Sequence, residues 1–258
     1  THSTAIANLY CAPGNAGTES IATNIDFDIT DPRTVRQWSE EHAIDLVIIG
    51  PEDPLASGVG DELRAVGIPC LGPNKGAARI ETSKIWAKHL MVNAGIPTAH
   101  YRVFQDENTA LSYLQKVEYP AVIKADGLAL GKGVIIADNF AAAETAVRNI
   151  MIDRMFGDAG RQILVEECLI GEELSAFAIT DGQTFKMLPF ARDYKRIADG
   201  NLGPNTGGMG SYSPVAIADE NLGKEIEKSI FEPILRALAE SGNIYQGFLF
   251  AGLMLTTD

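Results

Sequence analysis

Val122-Ile123-Lys124-Ala125-Asp126-Gly127-Leu128-Ala129-Leu130-Gly131-Lys132-Gly133-Val134 reads as a strand that ends on a lysine, a glycine-bearing loop, and the start of a second strand. A strand-end lysine before such a loop is one way to fold a flap over phosphates. Glycines let backbone N–H groups approach the oxygens, and the lysine supplies a point charge. It is not a Walker A loop: Gly131-Lys132 is followed by Gly133 rather than Ser or Thr, and by a strand rather than a helix. Taken alone, a plain glycine hairpin with solvated lysines explains the stretch equally well.

Working outward, the pattern around this loop is a small α+β unit. Tyr101–Phe104 is expected as a strand, Asp106 caps a helix to about Val117, and Ala121–Lys124 is the strand quoted above. Val134–Ala137 follows the loop, Asn139 caps a helix to about Ile152, and Ile163–Glu166 closes the series. Beyond it come a hairpin (Leu174–Thr180, a turn at Asp181-Gly182, Phe185–Pro189) and a glycine-rich loop. A long helix from about Glu220 to Ser241, kinked at Pro233, then leads to a final strand at Phe248–Leu255.

Upstream the alternation is different. Ile6–Tyr10 reads as a strand, and Asp31-Pro32 opens a helix with a cap residue and Pro in the first turn. Leu46-Val47-Ile48-Ile49 is a continuous apolar run, as in a parallel strand buried on both faces. A helix through Leu63–Val66 and a strand at Ile68–Leu71 complete a βαβ series. A doubly wound parallel sheet is the economical fold there, with its ligand crevice at the carboxyl ends of the strands. Thr82-Ser83 then caps a helix to Asn93, with Gly95 past its end. The expected division is 1–80 and 81–258, the latter with a small lobe at 101–166 and a second lobe at 167–258.

The 258 residues carry 34 acidic against 21 basic side chains, a net charge of −13. That balance argues against a nucleic-acid binder, which needs a basic face. No run of about 18 apolar residues marks a membrane span. Three scattered cysteines, Cys11, Cys70 and Cys168, fit a reducing cytoplasm better than a disulfide framework. The four histidines (His2, His42, His89, His100) show no metal spacing, and no Gly-x-Ser-x-Gly elbow is present. The chain starts at Thr1 and stops at Asp258 directly after an apolar run, so both ends are expected to be cuts.

Two further stretches carry charge in a pattern. Glu166-Glu167-Cys168-Leu169-Ile170-Gly171-Glu172-Glu173 places four carboxylates in eight residues. It is either a solvated acidic turn or a strand end whose carboxylates meet a nucleoside. Arg192-Asp193-Tyr194-Lys195-Arg196 precedes Gly203-Pro204-Asn205-Thr206-Gly207-Gly208-Met209-Gly210, with four glycines in eight positions. Basic side chains beside exposed backbone N–H groups suggest anion capture.

Together with Pro13-Gly14-Asn15-Ala16-Gly17, Gly50-Pro51-Glu52 and Gly157-Asp158-Ala159-Gly160, these stretches closely resemble the phosphoribosylamine–glycine ligase (GAR synthetase) family of the ATP-grasp superfamily. The likeness runs in order from about Cys11 to Asp258. It implies a Rossmann-like N-terminal domain followed by an ATP-grasp domain. It also implies ATP-dependent joining of glycine to 5-phosphoribosylamine through a glycyl phosphate, giving glycinamide ribonucleotide, ADP and phosphate. By the same resemblance, Lys84 and Lys124 face the ATP phosphates, and Gly131, Lys132 and Gly133 form the flap. Glu166 is the adenine-side carboxylate, Glu167 and Leu169 form the hinge that reads the base, and Glu173 meets the ribose. Asp193, Lys195, Arg196, Gly207, Gly208 and Gly210 hold the acceptor or glycine, and Asn15, Gly17 and Glu52 face phosphoribosylamine. Mg²⁺ or Mn²⁺ accompanies ATP, with its ligands expected beyond Asp258, so no metal ligand is named. The family often has Gln-Asp-His-Lys-Arg where this chain has Arg192-Asp193-Tyr194-Lys195-Arg196. A cytoplasmic monomer acting on small molecules, without nucleic acid or membrane, is expected. The alternatives are another ATP-grasp ligase or carboxylase, or a nucleotide-binding module without turnover.

Overall fold

The computed structural model describes residues 3–129, 133–200 and 202–257. It divides into two compact units, Thr1–Ala78 and Arg79–Asp258, each described by itself. Gly131 and Lys132 of the expected flap lie outside the described residues.

The first unit alternates strands and helices: β1 (Tyr10–Cys11), β2 (Thr23–Asn24), α1 (Pro32–Glu41), β3 (Val47–Ile48), α2 (Glu52–Ser57), α3 (Val59–Ala65) and β4 (Cys70–Leu71). β1 pairs with β2 and β3 with β4, both in parallel. Helix α1 starts as its sequence dictates: the Asp31 carboxylate accepts from the Arg33 N–H, and Pro32 occupies the first turn, where no N–H is needed. The first strand falls later than expected, at Tyr10–Cys11 rather than Ile6–Tyr10.

The run Leu46–Ile49 is not buried on both faces. Val47 and Ile49 pack on Val35, Val59 and Leu63, whereas Leu46 is 54% and Ile48 61% exposed. The alternation of a strand sends them to opposite sides, and α1 and α3 supply apolar cover on one side only. A cavity of about 520 Å³ reaches this strand, lined by Ile6, Leu9, Trp38 and residues of both faces, Leu46 and Ile48 as well as Val47 and Ile49.

The second unit begins with α4 (Arg79–Thr82) and α5 (Lys84–Asn93), then β5 (Tyr101–Phe104), α6 (Glu107–Leu114), β6 (Ala121–Ala125), β7 (Val134–Ala137), α7 (Phe140–Val147) and β8 (Ile163–Glu167). Ser83, Asp106 and Asn139 each cap the helix that follows, accepting from Trp86, Thr109 and Ala142. The strands form an antiparallel sheet in the order β5-β8-β6-β7. Ala121, Ile123 and Ala125 of β6, with Ile163 and Val165 of β8, face a core built with Ala110, Leu114, Ala143, Val147 and Ile150. Alternation therefore turns Lys124 and Glu166 to the opposite face, and this is what creates the site.

The rest comprises β9 (Glu172–Thr180), β10 (Phe185–Met187), β11 (Arg192–Ala198), β12 (Leu202–Tyr212), α8 (Glu220–Ile226), α9 (Glu232–Glu240) and β13 (Gly247–Leu255). β10, β9 and β13 make an antiparallel sheet, and β11 pairs with β12. Here the expected glycine-rich loop is corrected. Residues Leu202–Tyr212 form a strand, held by backbone pairing to β11 with two register shifts. Cross-strand hydrogen bonds override the weak strand preference of glycine. The long helix is interrupted by a π-helical stretch, Glu227–Phe231, just before Pro233. Pro233 cannot donate to the carbonyl four residues back, and the wider turn accommodates its ring.

Candidate functional site

The charged face of the four-stranded sheet carries the first cluster. Val122 lies opposite Glu166 and Lys124 opposite Leu164, so Lys124 and Glu166 are diagonal cross-strand neighbours. Lys124 Nζ lies 2.8 Å from Glu166 Oε2. Helix α5 adds two lysines one turn apart, Lys84 and Lys88, which share one side of the helix. Lys88 Nζ is 3.3 Å from the same Glu166 oxygen and donates to Thr98 Oγ1 at 2.7 Å and the Ala99 carbonyl at 3.2 Å. Lys84 Nζ donates to the Gly127 carbonyl at 2.7 Å, in the loop that follows β6.

That loop is tied to α5 by a second contact. The Asp126 carboxylate accepts from the Ile85 N–H at 3.0 Å and from Ser83 Oγ at 3.1 Å, completing the cap of the helix N-terminus. Gly133, at the far end of the loop, is needed for packing: a Cβ there would stand 2.6 Å from the Ala129 Cβ. Its carbonyl accepts from the Ala125 N–H at 2.9 Å.

The electrostatics of this cluster are unusual for so acidic a chain. Burial pushes the Lys84 and Lys88 ammonium groups below the ordinary lysine range, opposed by nearby carboxylates, with Glu81 and Asp126 beside Lys84 and Glu166 beside Lys88. Glu166 has a side chain only 4% exposed; both lysines lie against Oε2, and Oε1 has no hydrogen-bond partner among the described residues. A buried carboxylate oxygen left without a donor is costly, and an arriving N–H or O–H would satisfy it. Ammonium groups from α5 and β6 thus stand beside a buried carboxylate with an open acceptor oxygen, an arrangement able to meet an anion together with an N–H or O–H donor.

Glu167 and Leu169 continue from this strand. The Glu167 side chain accepts from the His100 N–H at 2.7 Å, and its own N–H donates to the His100 carbonyl at 3.1 Å. Leu169 is exposed.

A second cluster forms where β9 meets β11. Lys195 Nζ sits 3.2 Å from Asp193 Oδ2 and 3.7 Å from Glu173 Oε2, and Ser175 Oγ donates to Asp193 Oδ1 at 3.2 Å. Arg196 Nη1 donates to the Gly203 carbonyl at 2.5 Å, and Thr206 Oγ1 to the Lys195 carbonyl at 2.8 Å. The structure thus joins Glu173, expected at the ribose, to the Asp193–Lys195 pair. At Gly207, Gly208 and Gly210 an added Cβ would meet nothing within 4 Å, so that strand surface is open.

In the first unit, Asn15 and Gly17 follow β1, and Glu52 is the first residue of α2, after β3. Asn15 Oδ1 accepts from the N–H groups of Gly17 at 2.8 Å and Thr18 at 3.1 Å, so this side chain shapes its own loop.

Two matches to known sequence families cover the chain. Residues 1–81 match the family described as "Phosphoribosylglycinamide synthetase, N domain", and residues 82–258 match "Phosphoribosylglycinamide synthetase, ATP-grasp (A) domain". The chain belongs to the phosphoribosylglycinamide synthetase family. It is 44% identical over 252 residues to a phosphoribosylamine–glycine ligase of Yersinia pestis, covering 97% of this chain and 59% of that one. It is also 44% identical over 259 residues to the trifunctional purine biosynthetic protein adenosine-3 of Drosophila melanogaster, covering 98% of this chain and 19% of that one. Among solved structures, a phosphoribosylamine–glycine ligase from Thermotoga maritima superposes with a TM-score of 0.82 at 35% identity, covering 97% of this chain and 60% of that one. The chain therefore spans at most about three fifths of these relatives.

Membership in the phosphoribosylglycinamide synthetase family makes the mixed architecture an N-terminal domain followed by an ATP-grasp domain. A divalent ion is expected with the nucleotide. Among the described residues, no three His, Cys, Asp or Glu side chains come together to hold one. No step is routed through that ion. No helix among the described residues is long and apolar enough to cross a membrane.

Sequence reasoning missed Lys88 and the capping role of Asp126. Asp126 was readable as an ordinary turn former beside a glycine. For Lys88 the one available signal was its spacing of four from Lys84.

Proposed function

We propose that the chain supplies the nucleotide site and the substrate-facing loops of an ATP-dependent carbon–nitrogen ligase, a phosphoribosylamine–glycine ligase of purine biosynthesis. One observation carries the reading: Lys88 and Lys124 meet at a buried Glu166 with an open acceptor oxygen, with Lys84 one helical turn from Lys88, in a chain of this family. A glycine carboxylate oxygen attacks the γ-phosphorus of ATP, the bond to the β–γ bridging oxygen breaks, and ADP departs. The amine nitrogen of 5-phosphoribosylamine then attacks the acyl carbon. The carbon–oxygen bond to phosphate breaks, phosphate leaves, and the nitrogen gives up a proton. Such chemistry asks for positioning and charge neutralisation rather than a protein nucleophile.

In this reading Lys84 and Lys124 contact the phosphates. Glu166 accepts from the adenine side, the backbone around Glu167 and Leu169 lines the base, and Glu173 meets the ribose. Asp193, Lys195 and Arg196, with the open strand at Gly207, Gly208 and Gly210, hold glycine and its acyl phosphate. Asn15, Gly17 and Glu52 face phosphoribosylamine. Mg²⁺ or Mn²⁺ bound with ATP would offset phosphate charge. Three free cysteines agree with a reducing cytoplasm. A monomer is the oligomeric state proposed, to be read by light scattering.

The test is ADP formation by the protein that contains these residues. Turnover that needs both glycine and 5-phosphoribosylamine is expected. Turnover with bicarbonate in place of glycine would instead assign a carboxylase, and ADP formation indifferent to both substrates would sink the ligase reading.

A further inference from the structure

The two lysines on Glu166 are not equivalent. Lys88 has a side chain only 8% exposed, and its three N–H groups are matched by Thr98 Oγ1, the Ala99 carbonyl and Glu166 Oε2. Its ammonium also lies 5.5 Å from the centre of the Tyr101 ring, a cation–π contact. Lys124 is 26% exposed, and Glu166 Oε2 is its one ion-pair partner among the described residues. One lysine is built into the protein; the other leans on the carboxylate from the solvent side.

We propose that Lys88 is a positioning residue of the nucleotide site, which keeps the buried Glu166 carboxylate compensated so that Lys124 is free to turn to a ligand's phosphates. The proposal rests on the nucleotide reading of this face. Its physical basis is the cost of a lone buried charge. A carboxylate 4% exposed cannot be left without a counter-charge, because water is not there to replace it. If Lys124 were its sole partner, every phosphate contact made by Lys124 would leave Glu166 uncompensated, and the ion pair would compete with the ligand. With Lys88 fixed on the same oxygen by Thr98 and Ala99, Lys124 leaves at little cost. The geometry also places both lysines on Oε2, so Oε1 stays open to a donor from the nucleoside. Lys88 thus acts on the phosphates only through Lys124, and on the nucleoside only through Glu166.

The role predicts a split that simple structural support would not produce. Dissociation constants for ATP and for adenosine are measured by calorimetry on the wild-type chain and on Lys88→Met, Lys88→Arg, Glu166→Gln and the Lys88→Met/Glu166→Gln double variant. Circular dichroism checks each fold. In Lys88→Met, Lys124 is retained by Glu166. ATP affinity is expected to fall by about tenfold or more, the scale of a charge-assisted contact, while adenosine affinity changes far less. Lys88→Arg, which keeps the charge, should restore most of the ATP-to-adenosine ratio. In the Glu166→Gln background no carboxylate detains Lys124, so adding Lys88→Met should leave that ratio nearly unchanged, a non-additive cycle. This comparison stands even if Lys88→Met alone does not fold. A folded Lys88→Met with unchanged ATP affinity overturns the proposal. So does an equal loss for ATP and adenosine, or a fresh loss of the ratio in the Glu166→Gln background. A wild-type chain that binds neither ligand overturns the nucleotide reading itself, an outcome distinct from these.

Discussion

Lys124 was legible only beside the other motifs, since a glycine hairpin with solvated lysines explains its own stretch equally well; the structure sets it on the charged face of its sheet. Replacing it by Ala should weaken ATP binding by about 1.5–3 kcal/mol, the range for a contact with a charged group. An unchanged dissociation constant in calorimetry would remove Lys124 from the site. Lys88 was not legible, because an exposed lysine on an amphipathic helix looks the same in sequence; its burial depends on how α5 lies against β5 and β8. The lysines also carry a pH signature. Burial lowers the pKa of Lys84 and Lys88 below the ordinary 10.5. Between the lowered folded value and 10.5, the unfolded chain binds more protons, so stability attributable to these groups rises with pH through that window. Below it, the cost of burying the charges is fully present. ATP affinity should move the opposite way, falling as pH climbs through the same window, because the phosphates require the charged form. Denaturant midpoints and ATP titrations as the pH rises toward 10.5 read the two slopes; parallel slopes would contradict the assignment.

Elements formed where local chemistry is strongest. The caps at Asp31, Ser83, Asp106 and Asn139 start helices where their side chains predict. Gly157-Asp158-Ala159-Gly160 has a packing role in the second unit. It forms a 3₁₀ turn, and a Cβ on Gly160 would overlap the Ile150 carbonyl. Gly160→Ala should therefore destabilise the second unit by about 1–3 kcal/mol, the usual cost of overpacking. Urea unfolding measures it, and a neutral effect would show that the turn relaxes freely. The strand β12 was read as a loop because its glycines have little intrinsic strand preference, while its partner β11 decides the outcome through hydrogen bonds. The apolar run at β3 was read as buried on both faces, since periodicity alone cannot tell whether a second layer is present.

At the scale of the whole molecule, the two units differ in what they bring. Every lysine assigned to the nucleotide phosphates that the structure describes, with Glu166, lies in Arg79–Asp258. ATP at about 100 times its dissociation constant should stabilise a two-state unit by about 2.7 kcal/mol through mass action. Scanning calorimetry with and without ATP should show the gain in the transition of the second unit; a gain confined to the first would misplace the site. The net charge of −13 makes the local cluster more telling, since anionic ligands must be drawn by a few ammonium and amide groups against the sign of the chain. By itself, the sequence determined the α/β order, the helix starts and the family likeness, because caps, turns and strand alternation act over a few residues. Only the tertiary structure decided that Lys88 and Lys124 share one buried oxygen of Glu166, that Glu173 joins Asp193 and Lys195, and that Leu202–Tyr212 is a strand. Those outcomes depend on which distant segments meet, and burial and cross-strand pairing exist only once they do.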